Sequence, residues 1–120
     1  MRFFGYDLDL TVETIIDGDG GPRLFTGRDV DGIAWVIAQV ADEPSHQSWL
    51  CAPVSDRAAS VIVDRAADPR DAIRHSLTGT VELVTIEQGP ATPDRCILCS
   101  DVPEYLLGAV EERAVASLAS

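Results

Sequence analysis

The stretch of residues 22–55 constrains the fold most strongly, because its apolar runs are separated by clear turn signals. Asp31-Gly32 is typical of a tight hairpin turn, since glycine tolerates the positive φ that such a turn needs. Residues 33–41 follow at once and are apolar at nearly every position, as is typical of a strand inside a sheet. We therefore predict a central hairpin, followed by another strand and by a helix that Ser55 caps.

The remaining periodic segments predict a small number of further elements. Alternation of apolar and polar residues, or enrichment in β-branched ones, indicates strands. With the central hairpin included, the predicted strands are residues 6–13, a strand that starts at Leu24-Phe25 and runs toward the Asp31-Gly32 turn, and residues 33–41, 48–54 and 80–86. The predicted helices are residues 55–67, 68–75 and 101–118, the last with Asp101 as its N-cap.

These elements predict an α+β fold. We expect a single domain of residues 1–120, with an antiparallel sheet of about five strands and helices packed on one face. Residues 88–94, with two prolines and a glycine, are expected to form a surface loop.

Charge and hydropathy exclude several classes of protein. Twenty acidic residues face nine basic ones, all arginine, so the net charge is −11 and nucleic acid is not an expected partner. The longest apolar runs fall far short of the about 20 residues that a membrane span needs, so no membrane association is expected. The start has one basic residue and an early Asp7, unlike a secretion signal, so we expect a cytoplasmic location.

Several short segments together resemble an uncharacterised bacterial family of small proteins, a domain of unknown function. The resembling segments are Gly21-Pro22-Arg23-Leu24-Phe25, Asp31-Gly32, Trp49-Leu50, Pro53-Val54-Ser55, Arg70-Asp71-Ala72 and Asp101-Val102-Pro103-Glu104-Tyr105-Leu106-Leu107. They span most of the chain. The resemblance implies a shared fold, but it supplies no activity and no catalytic residues.

Asp7-Leu8-Asp9-Leu10-Thr11 resembles the D-x-D-x-T loop of haloacid-dehalogenase-type phosphotransferases. In that family the first aspartate is the nucleophile and the second handles the leaving-group proton. The chain has no lysine to hold the phosphate, so a plain amphipathic strand explains the same residues. A small hydrolase or phosphotransferase using Asp7 and Asp9 is therefore an alternative, and it requires a pocket that also gathers His46 or Cys96.

Cys96-Ile97-Leu98-Cys99 could hold half a zinc site or cycle as a dithiol. The other soft ligands are Cys51, His46 and His75, and no second C-x-x-C pair exists. Side chains three apart in a strand point to opposite faces, so the two thiols can cooperate only where the backbone turns. Buried cysteines that act as small hydrophobes are the simpler interpretation.

The favoured function is a small acidic, non-enzymatic protein-interaction module, such as an accessory, regulatory or immunity-type subunit. Its expected partner is a protein, in particular a basic one, because the strong negative charge steers such a partner electrostatically. We assign no catalytic, cofactor-binding or metal residue and expect no cofactor. The enzyme on Asp7 and Asp9 and the zinc or redox module on Cys96 and Cys99 stay open as alternatives, and so does the oligomeric state.

Overall fold

The computed structural model describes residues 1–5, 7–18, 21–87 and 93–119, with side chains described as far as residue 116. Seven strands form one antiparallel sheet whose spatial order is their order along the chain. The strands are β1 (Arg2–Phe4), β2 (Asp9–Asp17), β3 (Leu24–Arg28), β4 (Ala34–Asp42), β5 (His46–Val54), β6 (Thr80–Glu87) and β7 (Arg95–Leu98). The helices are α1 (Asp56–Val63), α2 (Pro69–Arg74) and α3 (Glu104–Ala119), with a 3-10 turn at Cys99–Asp101.

The sheet curls into a half-barrel in which 44% of the chain is strand and 28% helix. The predicted α+β fold, with about five strands and helices packed on one face, is therefore wrong. β1 and β7 escaped prediction because three and four residues are too few to show alternation. The strand predicted over residues 6–13 corresponds to β2, which begins at Asp9, and Tyr6 lies outside the described residues, as do residues 88–92 of the predicted loop.

Irregular pairing between neighbouring strands contributes to the curl. The pairing register shifts twice between β2 and β3, and once between β4 and β5 at Gln39–Ala41. An extra residue in one strand bends it and increases its twist. Three such irregularities in neighbouring strands turn an open sheet into a half-barrel.

The central hairpin is confirmed. β4 is the middle strand of the sheet, and Gly32 in the preceding turn has φ +82°. Asp29 holds the turn, since its carboxylate accepts hydrogen bonds from the N–H groups of Asp31 and Ile33 and from the indole of Trp35, at 2.9 to 3.0 Å. Burial opposes ionisation of this carboxyl, but these hydrogen bonds outweigh it and lower the pKa of Asp29.

The helix starts after the hairpins also follow the prediction. Ser55 caps α1 by accepting a hydrogen bond from the N–H of Ala58 at 3.0 Å. Asp68 caps α2, and Pro69 occupies its first turn. Within the part of the chain that the structure describes, no helix has both the length and the apolar character to cross a membrane.

Each face of the sheet carries its own core. On the outer face, residues of β3 to β6 share one core with residues from the helices. The inner face, on the inside of the curl, is filled by strand residues: Phe3, Leu10, Phe25, Ile37, Trp49, Cys51 and Val84. The ring of Phe3 on β1 packs edge-on against Phe25 and Trp49, with centroids 5.6 and 5.4 Å away. A flat sheet would place β1 about 19 Å from β5, so this contact closes the curl.

Substitution of Asp29 tests its role in the turn. We expect Asp29→Ala to lower the free energy of unfolding by about 2 kcal/mol at neutral pH, because charged hydrogen bonds are lost. A lowered pKa contributes stability that is present above the ordinary carboxyl pKa and lost as the pH falls through the lowered value, so wild type and variant should converge in acid. Urea unfolding at both pH values measures this, with the exposed neighbour Asp31→Ala as a control that stays within about 0.5 kcal/mol. Equal effects at the two positions would contradict the role of Asp29.

The adjacent residues Phe3 and Phe4 provide a matched pair for testing the closure of the curl. Phe3→Ala should cost about 3 kcal/mol of unfolding free energy, because its ring is buried against two aromatic neighbours. Phe4 is 57% exposed and contacts Arg2 through its ring face, so Phe4→Ala should cost less than about 1 kcal/mol. Denaturant unfolding decides the case, and similar losses for both variants would show that the inner core does not hold the curl.

Candidate functional site

The edge strand β7 is largely exposed. It borders a cluster of carboxylates on one side and a groove on the other. It pairs antiparallel with β6, in the register Glu82 to Cys96 and Val81 to Ile97. Arg95, Cys96 and Leu98 are exposed, Leu98 to 56%. The far side of β7 therefore faces solvent in the described structure.

Hydrogen-bond geometry identifies which main-chain groups face this open edge. The N–H of Cys99 donates to the carbonyl of Gly79 at 2.9 Å, which continues the β6–β7 register beyond Leu98. In an antiparallel pair, residues alternate between turning their main-chain groups toward the partner strand and turning them away. The groups of Ile97 therefore turn toward β6, and those of Cys96 and Leu98 point to the open edge.

A carboxylate cluster, formed by Asp7, Glu82 and Asp94, lies on the inner side of this edge. Glu82 stands beside Cys96 across the two strands, so both side chains point to the inner face. Burial raises the pKa of Glu82, repulsion from Asp94 and Asp7 adds to the rise, and a hydrogen bond with the Cys96 thiol partly offsets it. The cluster thus contains a carboxyl whose negative charge is disfavoured.

The curl brings the connection between β1 and β2 to this cluster. A carboxylate oxygen of Asp94 accepts a hydrogen bond from the main-chain N–H of Asp7 at 3.0 Å. A methyl group at Gly5 would lie 2.7 Å from the same carboxylate and 3.0 Å from the Val84 side chain. A side chain at position 5 would therefore force the Asp94 carboxylate to shift, and this close approach places Asp7 against a residue 87 positions further along the chain.

A groove of about 310 Å³ lies on the outer side of β7, between this strand and the start of α3. Its apolar lining includes Leu83, Ile97 and Leu106. Tyr105 forms part of the wall and is 76% exposed, and Asp101 also borders the groove. The lining is therefore mixed, with Arg95 and Asp101 beside the apolar residues, and an exposed tyrosine at such a groove is typical of protein interfaces.

The structure separates the two predicted catalytic aspartates. Asp7 joins the carboxylate cluster, whereas Asp9 forms an ion pair with Arg2 between β1 and β2. His46 lies opposite Glu87, five residues along β6 from Glu82, or about 17 Å away along the strand. The enzyme hypothesis requires Asp7 and Asp9 together with His46 or Cys96. Of these residues, the structure places Asp7 and Cys96 near each other, because both interact with Glu82.

The three cysteines are free thiols in different surroundings. The backbone does turn after Cys96, but Cys99 lies 3.1 Å from the hydroxyl of Ser76, whereas the Cys96 thiol bonds to Glu82. Cys51 is buried in the inner core, and burial raises the pKa of its thiol. Among the residues that the structure describes, no three His, Cys, Asp or Glu side chains form a group that could hold a metal ion.

Sequence reasoning missed Glu82 and Asp94. Glu82 shares its strand face with Val84 and Ile86, and an acidic residue on an otherwise apolar strand face is the signal that could have found it. Asp94 was assigned to a surface loop, and nothing local connects it to Asp7. Their proximity depends on the curl of the whole sheet.

Replacing Glu82 with glutamine tests whether the negative charge of Glu82 destabilises the fold. A raised pKa means that the folded protein binds the proton more tightly, so stability falls as the pH rises from the unfolded pKa through the folded one. We expect Glu82→Gln to be more stable than wild type at neutral pH, by up to a few degrees in Tm, and equal to it in acid. Thermal unfolding across this pH range checks it, with Glu112→Gln on the exposed face of α3 as control. A lower Tm for Glu82→Gln at neutral pH would mean that the carboxylate stabilises the fold.

Comparison with models of known protein families, with curated proteins and with solved structures finds no match. The resemblance to an uncharacterised bacterial family therefore stays a prediction. The candidate site depends on its own geometry: an open strand edge, a carboxylate cluster on its inner side and a groove of mixed polar and apolar lining on its outer side.

Proposed function

We propose that this chain is a non-enzymatic protein-interaction module, an accessory, regulatory or immunity-type subunit, that binds a basic protein. The observation that carries the proposal is the carboxylate cluster of Asp7, Glu82 and Asp94 at an exposed sheet edge, where burial, together with repulsion from Asp94 and Asp7, raises the pKa of Glu82. A lysine or arginine side chain placed among these carboxylates would relieve the repulsion. A basic partner therefore gains binding energy at this site.

The long-range field supports the same choice of partner. The net charge of −11 attracts a basic protein over distances of about a Debye length and speeds its encounter. Once it is in place, exposed Leu98 and Tyr105 offer apolar and aromatic contact area beside the charges. The proposal includes a cytoplasmic location and excludes nucleic acid and membrane as partners, because the same charge repels phosphate groups.

Affinity purification of the tagged protein from its host, at low and at moderate salt, tests this function. We expect a basic protein in stoichiometric amount at low salt and its loss at moderate salt, because screening weakens the electrostatic attraction. Mass spectrometry identifies what is bound. A partner whose retention does not depend on salt, or no partner at either salt, would contradict the proposal and favour a stand-alone activity.

Two double variants with the same change in net charge show whether the cluster is responsible for binding the partner. Glu82→Gln with Asp94→Asn should reduce recovery of the partner strongly. Glu43→Gln with Asp64→Asn, at exposed positions outside the cluster, should reduce it only slightly. Equal losses would assign the binding to net charge alone, and not to this site.

A further inference from the structure

We propose that the open edge of β7 binds its partner as an added β-strand, an extended segment in which basic and apolar side chains alternate. The inference rests on the proposed function and names how the basic partner is held. Its starting point is the main chain: the N–H and C=O groups of Cys96 and Leu98 point away from β6 toward the exposed edge. An added strand would pair with these groups.

β7 is short and carries one charged side chain, Arg95, but in its described residues it lacks three other features that protect edge strands. Proteins blunt edge strands with proline, with bulges or with a covering element. β7 contains no proline, its register with β6 is regular, and three of its four residues are exposed. The opposite edge strand, β1, has only three residues, and its Arg2 is engaged by Asp9. Of the two edge strands, β7 is therefore the one that is better able to pair with an incoming strand.

The two sides of β7 determine the side chains of the incoming strand. Residues that lie beside each other on neighbouring strands point to the same face of a sheet. A residue beside Cys96 would point to the inner side, two strands or about 9.6 Å from Glu82 at the main chain, so a long basic side chain is favoured because it can extend over Cys96 toward the carboxylates. A residue beside Ile97 would point to the outer side, over the groove lined by Leu83, where an apolar side chain is favoured.

Charge complementarity selects a basic partner over a second copy of this chain. Pairing of two β7 edges would bring two carboxylate clusters close together and join two molecules that each carry a net charge of −11. Like charges brought together at an interface oppose association. A segment with lysine or arginine neutralises the cluster instead.

A blocked hexapeptide, Arg-Val-Arg-Val-Arg-Val, is a direct probe of this inference. Its binding to the wild-type protein should slow amide hydrogen exchange at Cys96 and Leu98, whose N–H groups face the edge, and leave that of Ile97 unchanged, because its N–H already bonds to β6. A version methylated on alternate main-chain nitrogens, so that it cannot donate to the edge, should bind about tenfold more weakly. The peptide Glu-Val-Glu-Val-Glu-Val should not bind.

Leu98→Pro removes one edge-facing N–H group without changing the backbone. Leu98 has φ −61° and ψ 141°, and proline requires a φ of about −65°, so the substitution fits the existing conformation. We expect Leu98→Pro to weaken binding of the arginine peptide about tenfold. Leu98→Ala, which keeps the N–H group, should weaken it much less.

The outcomes separate this inference from the proposed function. Equal binding of the methylated and unmethylated peptides, or equal affinity of Leu98→Pro and Leu98→Ala, overturns strand addition. Binding that stays sensitive to Glu82→Gln with Asp94→Asn would then preserve an acidic site for a basic partner. Should Leu98→Pro fail to fold, the methylated peptide with the wild-type protein decides the question alone.

Discussion

The contact of Phe3 with Trp49 is the interaction on which the rest of the structure depends. It joins the first strand to the fifth, which a flat sheet would hold far apart, and so fixes the degree of curl. Once β1 is held there, the following residues, including Gly5 and Asp7, reach β6 and the start of β7. The candidate site is therefore a consequence of aromatic packing on the inner face.

The placement of the arginines explains how so acidic a chain holds its layers together while an acidic edge stays exposed. Arg28 joins Glu13 on β2 to Asp56 at the start of α1, at 3.1 and 2.9 Å. Arg70 on α2 reaches Glu111 on α3 at 3.1 Å. These arginines form ion pairs that join strands to helices, or helices to each other, on the outer side of the sheet. The carboxylate cluster lies on the inner side, away from these arginines.

Local signals in the sequence predicted the parts of the fold that depend on local chemistry. The turn at Gly32 and the caps Ser55 and Asp68 follow from backbone freedom and from hydrogen bonding within a few residues. The start of the last helix was missed, because a 3-10 turn uses Asp101 and α3 begins only at Glu104. The short edge strands, the curl and the meeting of Asp7 with Asp94 depend on contacts between distant residues, which periodicity and spacing do not show.

A partly buried carboxyl held beside two others is unfavourable for the isolated fold, and its position explains why it can persist. Glu82 lies one strand in from an open edge that would otherwise be free to pair with another copy. Its charge, together with that of Asp94, opposes such self-pairing. In the proposed complex, a cation from the partner would recover the free energy that the cluster costs the free protein, so repulsion in the free state would become affinity and specificity.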